Sequence, residues 1–244
     1  MKLALVAVAV ILAVGCGEEM EQAAPDSSKS RVYLLRDGKV WPALRDIPLA
    51  GDGADEIAAE LIRGPSDDEL ELGFRTALSA DYKLPEIAVA DGVARVQLDP
   101  ELSPEGLAQL VFTLTELEAV RSVDVEEGAA LLTGFDRTDF EELTPAILVE
   151  APLSFEDVTS PLRVTGTANT FEANFQYELT DTDGRIIAED FVTATSGTGT
   201  RGTFEFTVPF EVPFDGVGEL IVFESSAKDG SRVNLVEIPL RMTR

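Results

Sequence analysis

"EIAVADGVARVQLD", residues 86–99, decides how the first half of the chain folds. Asp91-Gly92 stands between two alternating apolar runs, the pattern of a two-residue hairpin turn. Pairing across that turn lays Ile87, Val89, Ala94, Val96 and Leu98 on one face, a coherent side to bury. Downstream, "SPEGLAQLVFTLTELEAV" (103–120) has the marks of a helix. Ser103 is placed to cap it, Pro104 takes the first helical position, and Leu107, Leu110, Val111, Leu114 and Leu117 make the apolar stripe. "SVDVEE" (122–127) then returns as a strand. Upstream, "RVYLLRD" (31–37) is a β-type run with Val32 and Leu34 on one face and Tyr33 and Leu35 on the other. It leads into a second helical stretch, "GDGADEIAAELIRGP" (51–65), in which Asp52 caps and Asp55 sits in the first turn. Ala54, Ile57, Ala58, Leu61 and Ile62 form its buried stripe, and Gly64-Pro65 stops it. Residues 31–145 are therefore expected to form an α+β domain, with helices on one face of a small sheet.

After "TDFEELTP" (138–145) the apolar period changes to two. "AILVEAPL", "LRVTGTA", "ANFQYEL", "RIIAEDFV", "GTFEFTVPF", "GELIVFES" and "RVNLVEIPL" supply seven short β-runs. "SP", "DTDG", "SGTGTRG", "PFDG" and "KDGS" separate them with turn chemistry at the spacing of a β-sandwich. Phe175, Tyr177 and Leu179 share one face of their strand; Phe204, Phe206 and Val208 point inward from another. These aromatics are expected to fill much of the core. Residues 146–244 are thus predicted to be an all-β, seven-stranded, immunoglobulin-like sandwich. It lacks the disulfide and core tryptophan of antibody domains.

Composition narrows the chemistry. Among 244 residues, 45 Asp and Glu face 19 Lys and Arg, for a net charge of −26. Such a surface repels nucleic-acid phosphate, whose binding depends on neutralisation by cations. With no histidine, His-based acid–base catalysis, Ser-His-Asp and Cys-His arrangements and histidine metal ligands are closed. One cysteine allows neither an intrachain disulfide nor a thiolate metal site.

That cysteine, Cys16, stands where an oily run meets an acidic one. Lys2, the apolar "LALVAVAVILAV" (3–14) and small Gly15 compose a secretory signal. The run is shorter than the roughly 20 apolar residues of a membrane span. "AVGC" (13–16) resembles the lipobox of bacterial lipoproteins, although Ala13 stands where leucine is more usual. The resemblance implies that residues 1–15 are removed and that Cys16 is lipidated. The chain would then be held, extracytoplasmic, at a bacterial cell membrane. "GEEMEQAAPDSSKS" (17–30) lacks apolar periodicity, so residues 16–30 are expected to be the lipidated cysteine and a solvated tether.

Beyond the tether, "VYLLRDGKVWPALRDIP" (32–48), "AAELIRGPSDDELELGFRTALS" (58–79), "VARVQLDPEL" (93–102) and "LAQLVFTLTELEAVRSVDVEEG" (107–128), in this order, resemble the GerMN module of sporulation and spore germination. "SPLRVTGTANTFEANF" (160–175) and "GELIVFESSAKDGSRVNLVEIPL" (218–240) resemble the immunoglobulin-like domain of bacterial spore germination. That domain commonly follows GerMN in one chain. The resemblance implies modules that act through protein–protein contacts and carry no catalytic residues.

Five features bear on chemistry or binding. Asp67, Asp68, Glu69 and Glu71 are a candidate cation site, but acids also favour a helix start. "DTDG" (Asp181, Asp183, Gly184) hints at calcium, yet Leu179 stands where an EF-hand needs an acid, which favours a turn. Glu172 and Glu224 are a candidate glycosidase pair, with surface positions the plainer reading. Thr113 and Thr115 read as surface or packing positions, and Trp41 as buried beside the first strand or as a partner's anchor. The expected function is a non-enzymatic, membrane-anchored lipoprotein that presents interaction modules to a cell-envelope protein or cell-wall polymer. It has no cofactor and no metal site. The alternatives are a calcium- or cationic-ligand-binding lipoprotein and, more remotely, a carboxylate-only wall hydrolase.

Overall fold

The computed structural model describes residues 28–48, 50–78, 82, 87–98 and 101–244. The expected signal segment, Cys16 and most of the expected tether lie outside them. One correction falls at the tether's end. Ser28, Lys29 and Ser30 belong to strand β1 (Ser28–Arg36) and pair with Ile47, Asp46 and Arg45 of β2 (Lys39–Ile47). Backbone pairing continues a hairpin through polar residues whose side chains give no apolar signal.

Helices α1 (Ala54–Arg63) and α2 (Asp67–Glu71) follow, then β3 (Ala88–Ala90) and β4 (Val93–Leu98). Asp91 (φ 54°) and Gly92 (φ 85°) make the left-handed turn between these two strands. Helix α3 (Pro104–Leu114) crosses to β5 (Ser122–Glu127), which lies parallel to β4, and β6 (Ala130–Phe135) completes a four-stranded sheet ordered β3-β4-β5-β6. Ser103 caps α3 by accepting from the Gly106 N–H at 3.2 Å, and Pro104 begins it. The α1 cap differs from expectation: Gly53 holds the cap position, and Asp52 accepts from the Ala54 N–H at 3.1 Å.

The expected single sheet is in fact two. β1 and β2 form their own two-stranded sheet, and α3 packs against both of them, against α1 and against β5. Every residue from Ala108 to Leu114 is buried, so α3 is a central helix covered on all sides and not a one-faced one. Its neighbours share one core that includes Val32, Tyr33, Leu34, Ile57, Leu61, Val96 and Val125.

A second core begins at Ile147. Two sheets surround it. One is ordered β12-β9-β7, from β7 (Ile147–Ala151), β9 (Leu162–Ala168) and β12 (Gly202–Val208). The other is ordered β11-β10-β13-β14-β8, from β8 (Asp157–Val158), β10 (Asn174–Thr180), β11 (Ile186–Thr193), β13 (Gly216–Ser225) and β14 (Arg232–Met242). Where the sequence predicts seven strands the structure has eight. The added β8 pairs in parallel with the end of β14 and has two residues, too few for an alternation to be read.

Aromatic side chains join the two sheets. Phe175 meets Phe204 edge-on at 4.8 Å, and Tyr177 stacks on Phe206 at 4.7 Å. Gly166 is required there: a Cβ would lie 2.1 Å from the Leu148 carbonyl oxygen and 2.7 Å from the Phe204 ring. Among the described residues, no helix is long and apolar enough to cross a membrane.

Candidate functional site: a charged seam and an open aromatic groove

Between β6 and β7 a 3-10 turn, Arg137–Leu143, carries the chain from one core to the other. Asp136 caps it by accepting from the Thr138 N–H at 2.7 Å. That cap aims Arg137 back into the seam. The Arg137 guanidinium donates to Glu116 in the turn after α3 (3.1 Å), to Glu150 of β7 (2.9 Å), to the Phe112 carbonyl (3.1 Å) and to the Thr115 hydroxyl (2.9 Å). It also lies 5.0 Å from the Tyr33 ring centre and 5.1 Å from that of Phe112. Arg31 pairs with the same Glu116 and donates to the Glu150 carbonyl at 3.1 Å, while the Tyr33 hydroxyl donates to the Glu150 carboxylate at 3.1 Å. Burial pushes the Tyr33 hydroxyl far above its ordinary pKa, so it remains a donor.

A second clamp lies nearby. Arg201 donates two bonds to Glu141, at 2.8 and 3.0 Å, and a third to the Pro145 carbonyl at 2.8 Å. Asn169 donates to the same Glu141 at 2.8 Å. Burial works to raise the Glu141 pKa, but these hydrogen bonds and the charges of Arg201 and Lys39 hold it below the ordinary value. Trp41 closes the seam: it packs against both cores, donates to the Arg36 carbonyl at 3.1 Å and lies 4.3 Å under the Arg36 guanidinium. Of the two roles read from sequence the structure favours the first: Trp41 is partly buried opposite Leu34 of β1, at the junction of the two units.

The acids singled out in the sequence have structural partners or open positions. Glu69 closes a capping box with Ser66 and takes a two-pronged bond from Arg45, at 2.7 and 2.8 Å. Asp67, Asp68 and Glu71 lie exposed along the same short helix. Asp181 is buried, and its carboxylate accepts from the Asp183 and Arg185 N–H groups, both at 2.9 Å, as an Asx-type turn with Gly184 at φ 77°. No group of three or more His, Cys, Asp and Glu among the described residues is arranged to hold a metal ion. Thr113 is fully buried and accepts from the Tyr33 N–H at 3.0 Å; Thr115 donates to the Val111 carbonyl at 2.7 Å. Both hydroxyls serve the fold.

Glu172 and Glu224 do come together, on the rim of one open groove of about 350 Å3 shared with Phe171, Asn174, Gln176 and Phe191. Glu224 accepts from the Phe171 N–H at 2.9 Å and from Asn234 at 2.8 Å, which fixes the loop that carries Phe171. Glu172 is exposed, and its backbone is left-handed at φ 53°, like Ala173 at 60°. Its N–H donates to Thr198 at 2.9 Å. Phe171 and Phe191 of this groove are 57% and 71% exposed, the most open large apolar side chains described. The sequence reading passed over both. One signal was present: in the adjacent pair Phe191-Val192 only one side chain can face inward, and Val192 does.

Residues 28–128 match the family described as "Sporulation and spore germination", and residues 146–231 match the "Immunoglobulin-like domain of bacterial spore germination". Among solved structures, the tandem GerMN domains of the sporulation protein GerM from Bacillus subtilis are 27% identical over 43% of this chain, with a TM-score of 0.37. The chain spans 40% of that structure's length. The first GerMN domain of the same protein is 22% identical over 43% of this chain and 86% of its own, with a TM-score of 0.35. No curated protein matches the chain.

Proposed function

We propose that this chain, which joins a sporulation and spore germination domain to an immunoglobulin-like domain of bacterial spore germination, is a non-catalytic adaptor of the cell envelope. In this reading Cys16 carries lipid, residues 16–27 form the tether, and the two domains extend from the membrane as one arm toward a partner protein. The observation that carries it is the contrast between committed acids and open aromatics. Glu69, Asp181 and Glu224 hold backbone groups or an arginine, whereas Phe171 and Phe191 stand in solvent on one groove. An exposed apolar patch with a polar rim is the usual mark of an interaction surface. The Arg137 seam supports a fixed angle between the domains, which an adaptor needs to present that surface.

Crosslinking the native protein in living cells, with a Cys16→Ala form alongside, tests the reading. Recovery of one envelope protein, lost when Cys16 is replaced, is the expected result. Recovery of wall polymer alone, or of nothing above background, would overturn it.

A further inference from the structure

The outward face of the β10–β11 pair repeats a recognition unit that the chain itself completes only once. Register places Phe223 of β13 and Phe191 of β11 on either side of Gln176 of β10, and places Glu189 opposite Glu178. On the β13 side, the Arg232 guanidinium lies 4.3 Å over the Phe223 ring while pairing with Glu178. On the β11 side, Phe191 and Glu189 repeat the ring and the carboxylate, yet no Lys or Arg among the described residues reaches either one. The face continues into the groove between Phe191 and Phe171, where Glu172 and Glu224 add two further carboxylates. Neither this groove nor the depression between Phe191 and Phe223 is lined by a cationic side chain.

We propose that the Phe171–Phe191 face of the second domain docks a segment of a partner protein that carries Lys or Arg side chains, at least one of them stacked on Phe191 as Arg232 is on Phe223. The inference rests on the adaptor reading above and names its contact face. Charge complementarity selects this occupant. A ring face and a carboxylate attract a cation together, and a guanidinium satisfies both at once. Anionic polymers are repelled by the same carboxylates, and a neutral glycan leaves them uncompensated. Phe191 is presented from a strand at the end of its sheet, and two consecutive left-handed residues, Glu172 and Ala173, follow Phe171 in its turn. The φ values of those two residues are uncommon outside glycine and are held by the Thr198 and Thr170 contacts.

The test uses the purified full chain and fluorescein-labelled peptides of alternating Arg and Val, with an otherwise identical Gln and Val peptide as control. The Arg peptide is expected to bind at least about tenfold more tightly than the Gln peptide, and Phe191→Ala to weaken it about fivefold to tenfold. Glu189→Gln and Glu172→Gln are expected to weaken it about twofold to threefold each. Glu118→Gln, in the exposed turn between α3 and β5 of the first domain, should leave binding unchanged. Equal binding by Phe191→Ala, equal weakening by Glu118→Gln, or equal affinity for the Gln peptide would each overturn the assignment, as would no binding at all. In cells, full retention of the crosslinked partner by Phe191→Ala would overturn this face while leaving the adaptor reading intact.

Discussion

β1 and β11 each end a sheet, and each has one side that no full strand pairs, but the molecule treats the two in opposite ways. At β1 that side is closed from within. The Tyr33 N–H goes to Thr113 and the Tyr33 carbonyl to Gln109 at 3.0 Å, while Leu35, two residues on, exchanges backbone bonds of 2.8 and 2.7 Å with Arg75. Pro42 is tolerated across the hairpin because its partner Tyr33 turns its backbone groups toward α3. At β11 the Phe191 N–H is met by its neighbour Asp190 at 2.8 Å, and the Asp190, Phe191 and Thr193 side chains are exposed. One edge belongs to the core and the other is presented to whatever approaches. Buried polar groups must be paired within the chain, whereas exposed ones can be left for a partner.

Gln109→Leu strikes the closed edge hardest. It removes the partner of the Tyr33 carbonyl and of the Ala77 N–H, which donates to Gln109 at 2.8 Å. One buried carbonyl and one half-buried N–H left unsatisfied should cost about 2–3 kcal/mol. Urea denaturation would measure this, and a loss below about 0.5 kcal/mol would mean that the edge does not depend on Gln109. Thr113→Val removes one such bond and should cost about half as much.

How much of this was legible follows from where the signals lie. The Asp91-Gly92 turn, the α1 stripe and the Ser103-Pro104 start of α3 were visible because each depends on local chemistry. β6 was not: all but the last residue of "ALLTGF" is exposed, so neither face imposes an alternation. The apolar stripe of α3 was read as one-sided, and Gln109 within that stretch was overlooked. A polar side chain amid Leu107, Ala108, Leu110 and Val111 is explained only by a strand brought to it from 76 positions away. The groove was half legible. Glu172 and Glu224 stand out in the sequence as a candidate pair, with surface positions the plainer reading, and they do share the groove; that Glu224 fixes a loop and that Phe171 and Phe191 give the groove its character was not visible there.

Arg137→Met probes the seam that holds the two edges in one arm. The substitution keeps much of the side-chain volume but leaves Glu150 with Tyr33 as its side-chain donor, and Glu116 with Arg31. Because Arg137 is 30% exposed and both acids keep one partner, the expected loss is about 1–2 kcal/mol, well short of that for a fully buried pair. The informative readout is cooperativity: two separable unfolding transitions where the native protein has one. A single transition at unchanged stability would show that the domains are joined by other contacts.

A smaller effect distinguishes acids that the fold uses from those it only tolerates. Burial, together with the charge of Glu237, raises the Glu219 pKa above the ordinary 4.5. A raised carboxyl contributes stability that is present below its unfolded pKa and is lost as pH rises through its folded pKa. Glu219→Gln should therefore melt higher than the native chain at pH 7, and the gap should close as pH falls below about 4.5. Glu141 has the opposite sign, since its lowered pKa contributes stability above the ordinary range that is lost on acidification. A gap for Glu219→Gln that stays constant from pH 4 to 7 would show that its cause is not the charge.

Phe191→Ala should do least to the fold, which is what gives it value. Phe175, paired with Val192 on the inward face of the same two strands, is 2% exposed and packs on Phe204, so Phe175→Ala should cost about 3–5 kcal/mol as a core cavity. Phe191 faces the other way at 71% exposure, and its truncation should change stability by less than about 0.5 kcal/mol. A matched pair of melts decides between the two faces of one sheet. If Phe191→Ala destabilises as Phe175→Ala does, the open edge is part of the core and the contrast with β1 fails. If it does not, the ring is exposed for a reason other than folding, and any loss of partner binding in that variant is read free of a stability effect.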